Sequence, residues 1–179
     1  MVRTVYFDTS VFIELANKKS PLAKDLKTLL NELTEERVRI YTSIITVQEM
    51  SVAVFRRGAK YKDPYADIHD MARIYGVTKE VVLTAAHREA ELKDLADKAK
   101  SLLKNETLDQ KIERICENRR RRWDCFHIAT AQEIGCTVMY STDEQLQERP
   151  KLLGINDLRI LPPKATPRSI KGPLFPLMG

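Results

Sequence analysis

The sequence predicts an α/β protein, a parallel β-sheet with helices packed on both faces. Short runs of β-branched and aromatic residues alternate with longer stretches whose apolar residues recur at helical spacing. Two of those runs, Val5 to Phe7 and Cys136 to Tyr140, lead into small hydroxyl residues and an acid, the polar turn expected where a buried strand ends. At 179 residues, 43% hydrophobic and 31% charged, the chain suits one well-buried domain and is short for two. The expected organisation is a domain over 1–161 and a proline-rich tail over 162–179.

Val5, Tyr6 and Phe7 are too few for a helix and form the first strand; Thr9 and Ser10 can cap a helix beginning at Val11. Ser20-Pro21 supplies an N-cap and a first-turn proline for a helix to about Glu35, with Leu22, Leu26, Leu29, Leu30 and Leu33 on one face. Val38 to Tyr41 reads as a second strand, followed by a helix from about Val47 to Arg57 that Gly58 can stop. Asp63-Pro64 opens a helix from Tyr65 to Tyr75 that ends at Gly76, and Val77 makes at most a minimal strand. Thr78 caps a long helix from Lys79 to about Lys104, its apolar side given by Val82, Ala86, Ala90, Leu92 and Leu95.

After a break at Asn105 to Thr107, a charged helix from Leu108 to Asn118 turns Ile112 and Ile115 inward. Four arginines then lead into an apolar helix from Trp123 to Ile134, ended by Gly135. Cys136 to Tyr140 is a strand, Ser141 to Asp143 begin a short helical turn, and Leu158 to Leu161 make the last strand. Right-handed crossovers are expected between the parallel strands. In the tail, Leu174, Phe175 and Leu177 are the residues able to dock onto the body.

Composition narrows the function classes. Asp8 and Glu14 interrupt the only apolar run near the N-terminus, so neither a membrane span nor a signal peptide is read, and the expected location is the cytoplasm. Cys116, Cys125 and Cys136 are odd in number and lack C-x-x-C spacing, which argues against a disulfide framework or a cysteine zinc site. Lysine and arginine exceed the acids by 30 − 25 = 5, a balance that permits nucleic-acid binding without requiring it.

Four acids stand out. Asp8 ends a strand in an α/β sheet, where ligands bind, yet taken alone it reads more simply as a helix cap. Glu49 lies in Thr46-Val-Gln-Glu49, which matches a capping box as well as it does a site. Asp124 sits among apolar and small residues, and a buried carboxylate needs an ionic partner or a metal. Asp143 follows a strand as Asp8 does, and it too can cap a helix. If the four meet in one crevice, they raise one another's pKa unless a cation relieves them, and an all-oxygen cluster suits Mg²⁺ or Mn²⁺ rather than zinc.

His127, one turn after Asp124, reads as a packed or hydrogen-bonded core histidine before it reads as a ligand. Arg119, Arg120, Arg121 and Arg122 read equally as a solvated charge run or as a phosphate-binding group beside the acids.

Together Val-Tyr-Phe-Asp8-Thr-Ser-Val, Ser43 to Glu49, Trp-Asp124-Cys-Phe-His-Ile-Ala-Thr-Ala and Tyr-Ser-Thr-Asp143 resemble the motifs of the PIN-domain nucleases, in order, from Val2 to about Leu161. The resemblance implies a three-layer α/β/α fold and Mg²⁺- or Mn²⁺-dependent endonucleolytic cleavage of single-stranded RNA. It puts the family's four acids on Asp8, Glu49, Asp124 and Asp143, with Thr9, Ser141 and Thr142 in support. Many small members are toxins of VapC type, paired with an inhibitory antitoxin protein and commonly homodimeric. The charged segment between Ala90 and Arg122 and the proline-rich tail depart from those toxins. Two other readings are weighed beside this one. A non-catalytic PIN-like module binding RNA or protein would not need all four acids, and a phosphatase of the haloacid-dehalogenase type would need an acid where Ser10 stands.

Overall fold

The computed structural model describes residues 3–17, 19–56, 64–100, 108–164 and 168, and for 98–100, 108–116 and 119 it describes the backbone alone. Five strands form one all-parallel sheet: β1 (Thr4–Phe7), β2 (Arg39–Ser43), β3 (Arg73–Tyr75), β4 (Val138–Tyr140) and β5 (Arg159–Leu161), in the order β3-β2-β1-β4-β5. Seven helices are described: α1 (Thr9–Ala16), α2 (Ala23–Glu35), α3 (Ile44–Arg56), α4 (Pro64–His69), α5 (Lys79–Lys100), α6 (Leu108–Glu133) and α7 (Glu144–Leu152).

Strand side chains point alternately to the two faces, so each central strand feeds two cores. Val5, Phe7, Val138 and Tyr140 pack with Val11 and Phe12 of α1, Leu26, Leu29 and Leu33 of α2 and Ile68 of α4. Tyr6, Met139 and Ile160 face the opposite way, onto Val81, Ala85 and Leu92 of α5, Cys125, Ile128 and Ala129 of α6 and Leu146 of α7. Burial on both faces is what a parallel sheet demands, and it gives the three layers expected from the sequence. Among the described residues no helix is long and apolar enough to cross a membrane.

Several elements differ from the expected ones. The helix expected to run to Tyr75 stops at His69, and Arg73 to Tyr75 form β3, paired in register with Tyr41 to Ser43. A free edge of β2 offers those residues a backbone ladder that outweighs their weak helical pattern. The two helices expected around the arginine run are one, because arginine is a good helix former and nothing there breaks the ladder. The inward face of α5 is Val81, Ala85 and Leu92, whereas Val82 and Leu95 are exposed; the true stripe starts one residue earlier than the pattern indicates. Helix α3 begins three residues sooner than expected, directly from β2, with the Ser43 hydroxyl accepting the Ile45 N–H at 3.2 Å. Gly58, the break at 105–107 and Leu174, Phe175 and Leu177 of the tail lie outside the described residues. Arg168 donates its backbone N–H to Glu32 of α2 at 3.0 Å.

Gly135 ends α6 at φ 76°, and the next N–H, of Cys136, donates back to the Ala131 carbonyl at 2.9 Å. Nothing lies within 4 Å of where a Cβ would sit, so Gly135→Ala tests the backbone alone. The expected loss is about 1–2 kcal/mol, the usual penalty for an L-residue in the left-handed region. It is read as a lower urea midpoint at unchanged m-value.

Candidate functional site

The N-terminal strand lies in the middle of the sheet, with β2 and then β3 on one side and β4 and then β5 on the other. The order therefore reverses between β1 and β4, and the crevice beyond their carboxyl ends is where α/β sheets place ligands. Asp8 and Asp143 follow those two strands.

Asp8 is 6% exposed and caps α1 with Oδ2, which accepts the Ser10 N–H at 3.2 Å and the Ser10 hydroxyl at 2.7 Å. The Ser141 hydroxyl, from the end of β4, donates to the same oxygen at 3.0 Å. Ser10 in turn accepts the Thr142 N–H at 2.9 Å, so short polar side chains stitch the two strand ends together. Asp8 is thus a cap and also a member of the crevice: its cap uses Oδ2, while Oδ1 stands 3.5 Å from His127 Nε2. Asp143 is a cap as well, accepting the N–H groups of Gln145 at 2.9 Å and Leu146 at 3.3 Å, and its own N–H donates to Ser141 Oγ at 3.0 Å.

Glu49 is not part of a capping box, because Thr46 lies inside α3 and is buried. Its Oε2 accepts from Thr9 Oγ1 and from His127 Nε2, the latter at 3.1 Å. Burial works against its charge, but the bonds from His127 and Thr9 and the imidazole's charge outweigh it and hold the carboxyl below its ordinary value.

Asp124, 5% exposed on α6, has the ionic partner that its surroundings demand: Arg149 of α7 donates from Nε to Oδ2 at 3.2 Å. The same guanidinium reaches Glu117 at 2.8 Å. Burial still pushes the Asp124 carboxyl up to about 6; Arg149 opposes the shift, and the charges of Asp8 and Asp143 add to it. That last contribution means the acids of β1, β4 and α6 share one field.

His127 is buried, as expected, but its partners belong to the site. Nδ1 meets the Tyr6 hydroxyl at 2.7 Å, and Nε2 lies 3.3 Å from Thr9 Oγ1 as well as beside Glu49. Burial disfavours its charge, yet the bond to Glu49 and the charges of Asp8, Glu49 and Asp124 raise its pKa above the ordinary histidine value. The one-turn spacing from Asp124 is the signal in the sequence for it. Arg149 and Tyr6 carry no such signal, since each meets the site only across tertiary distance.

The arginine run is not one surface. Arg120 is exposed, Arg121 is buried, and Arg122 pairs with Glu89 of α5 at 3.2 Å; the side chain of Arg119 lies outside the described residues. Cys125 and Cys136 are buried free thiols, their pKa values pushed by burial to about 12 and about 11, while the side chain of Cys116 lies outside the described residues.

Among the described residues no three acid, histidine or cysteine side chains form a ready-made metal cage. The donor set still fits Mg²⁺ or Mn²⁺: it is rich in carboxylate oxygen, a cation would relieve the repulsion felt by Asp124, and Mg²⁺ ordinarily takes one or two carboxylates and completes its shell with water and phosphate. A family model described as PIN domain matches residues 5–152. No curated protein matches the chain.

Asp124 also sets a pH dependence in chelated protein. Its folded pKa lies above the ordinary carboxylate value of about 3.9, so its protonation favours the fold. The contribution is complete below about pH 4 and is lost as pH rises through about 6. In EDTA, the melting temperature of Asp124→Asn should therefore gain on wild type across that window, followed by paired melts at successive pH values.

Proposed function

Because the chain belongs to the PIN-domain family, whose members are generally nucleases, we propose that it is a Mg²⁺- or Mn²⁺-dependent endoribonuclease. The observation that carries this reading is the shared crevice at the β1–β4 switch point, where Asp8 and Asp143 bear electrostatically on Asp124 and Glu49 joins Asp8 through His127.

Asp8, Glu49, Asp124 and Asp143 are the residues that would hold the cation. When bound, it supplies an acidified water as nucleophile and positive charge for the scissile phosphate and the leaving oxygen. Ser10 and Ser141 occupy one oxygen of Asp8, and Arg149 engages one oxygen of Asp124, so each carboxylate is oriented before a cation arrives. Thr9 does the same for Glu49, and Thr142 holds the strand-end stitch through its backbone. Basic side chains position an RNA backbone without choosing bases. Among the described side chains of the arginine run that role falls to Arg120, since Arg121 is buried and Arg122 is paired.

A cytoplasmic toxin role, with an inhibitory protein partner and a homodimer, extends the same proposal. It is supported by the family and by an apolar groove of about 490 Å³ lined by Phe12, Ile13, Met50, Val54 and Met71, apart from the four acids. A second reading has an observation in its favour. Asp8 and Asp143 cap helices and Asp124 is ion-paired, so each has a structural task that a non-catalytic RNA- or protein-binding module would also need.

Cleavage of a structured RNA panel with Mn²⁺ separates the two. Asparagine caps a helix as well as aspartate does, so Asp8→Asn preserves the fold, and with Asp124→Asn it should lose at least about 100-fold in rate. Equal cleavage by wild type and both variants, at matched folding, would overturn the nuclease reading. Millimolar Mn²⁺ should also raise the wild-type melting temperature by linkage.

A further inference from the structure

We propose that His127, locked by Tyr6, is a positioning residue that sets Glu49 for the cation. The inference rests on the nuclease reading and assigns a role within that site.

Glu49 is the acid of the four with the longest side chain, so it loses the most rotamer freedom when held in one conformation. The three aspartates each have a fixing device. Asp8 is held by Ser10 and Ser141, Asp143 by the first turn of α7, and Asp124 by Arg149. For Glu49 the corresponding device is the pair of donors on Oε2, Thr9 Oγ1 and His127 Nε2. Because both fall on one oxygen, they fix the carboxylate plane and leave Oε1 as the oxygen to meet a cation.

His127 can hold Glu49 only if its own ring is held and Nε2 carries hydrogen. Tyr6 meets both needs. It is fully buried in β1, and its hydroxyl lies 2.7 Å from Nδ1. A phenol keeps its proton at neutral pH, so at that distance the hydroxyl can donate to Nδ1. That bond fixes the tautomer with hydrogen on Nε2, and an imidazolium would carry hydrogen there too. The ring edges of Tyr6 and His127 also meet, with centroids 5.8 Å apart, which restricts rotation of the imidazole. The relay runs from the central strand through α6 to α3, the same arrangement by which a hydrogen-bonded second residue orients a metal-binding one elsewhere.

The test measures Mn²⁺ binding by calorimetry without RNA, and the Mn²⁺ dependence of cleavage, for wild type, His127→Ala, His127→Gln and Tyr6→Phe. His127→Ala should weaken Mn²⁺ binding roughly ten-fold or more, the usual effect of losing a residue that orients a ligand. The Gln variant, which restores an N–H near the Nε2 position, should recover most of it. Tyr6→Phe keeps the packing and removes only the hydroxyl, so it should weaken binding in the same direction by less. At saturating Mn²⁺ the KM for RNA should be unchanged in all variants. If wild type binds Mn²⁺ and cleaves but Tyr6→Phe and the folded His127 variants keep its Mn²⁺ affinity, the positioning role is overturned and the nuclease reading stands. If wild type neither binds Mn²⁺ nor cleaves RNA, both fall.

Discussion

Carboxylates gathered in a buried crevice repel one another and lose their hydration, so a fold that brings them together must hold each one by other means. In this protein every acid of the crevice has its own anchor. The Asp8 carboxylate is tied to the Ser10 N–H and to the hydroxyls of Ser10 and Ser141, that of Asp143 to two backbone N–H groups at the start of α7, that of Asp124 to an arginine from the following helix, and that of Glu49 to a threonine and a histidine. The Asp124 carboxyl nevertheless stays raised, chiefly by burial and further by the charges of Asp8 and Asp143. A cap or an ion pair therefore does not use up an acid of this crevice. Each uses one oxygen of a group that has two.

The sheet makes this possible by its order. With the first strand in the centre, the ends of β1 and β4 are neighbours, and α1, α3, α6 and α7 can each send one residue to the same edge. Apolar packing on both faces fixes the strands rigidly enough that side chains as short as serine can bridge them, Ser10 to Ser141 at 3.2 Å. Precision in the crevice is thus inherited from two hydrophobic cores that contain none of its acids.

How much of this the sequence discloses depends on whether the cause is local. The central strands are legible because burial on both faces forces continuous apolar runs such as Val5 to Phe7. Asp8 and Asp143 are legible because each closes such a run at the strand end where α/β sheets bind ligands. The edge strand β3 is not, since Arg73 to Tyr75 are half-exposed and become a strand only through pairing with β2. The partner of Asp124 can be demanded from its apolar surroundings but not named, because Arg149 lies 25 residues on in another helix. His127 is legible as a core residue, while its contact with Glu49, 78 residues away, has no counterpart in local pattern. The capping-box match at Glu49 misleads because α3 starts without a loop and carries Thr46 into its interior.

The serine stitch joins residues very far apart along the chain: Ser141 reaches Asp8 across 133 positions. Translation delivers β1 first and β4 more than a hundred residues later, so the central strand has to wait beside an empty place until its neighbour leaves the ribosome. Contacts of such long range form late and slowly. A nascent chain stalled or truncated before Val138 would carry Asp8, Glu49 and Asp124 without β4, the strand whose end closes their crevice.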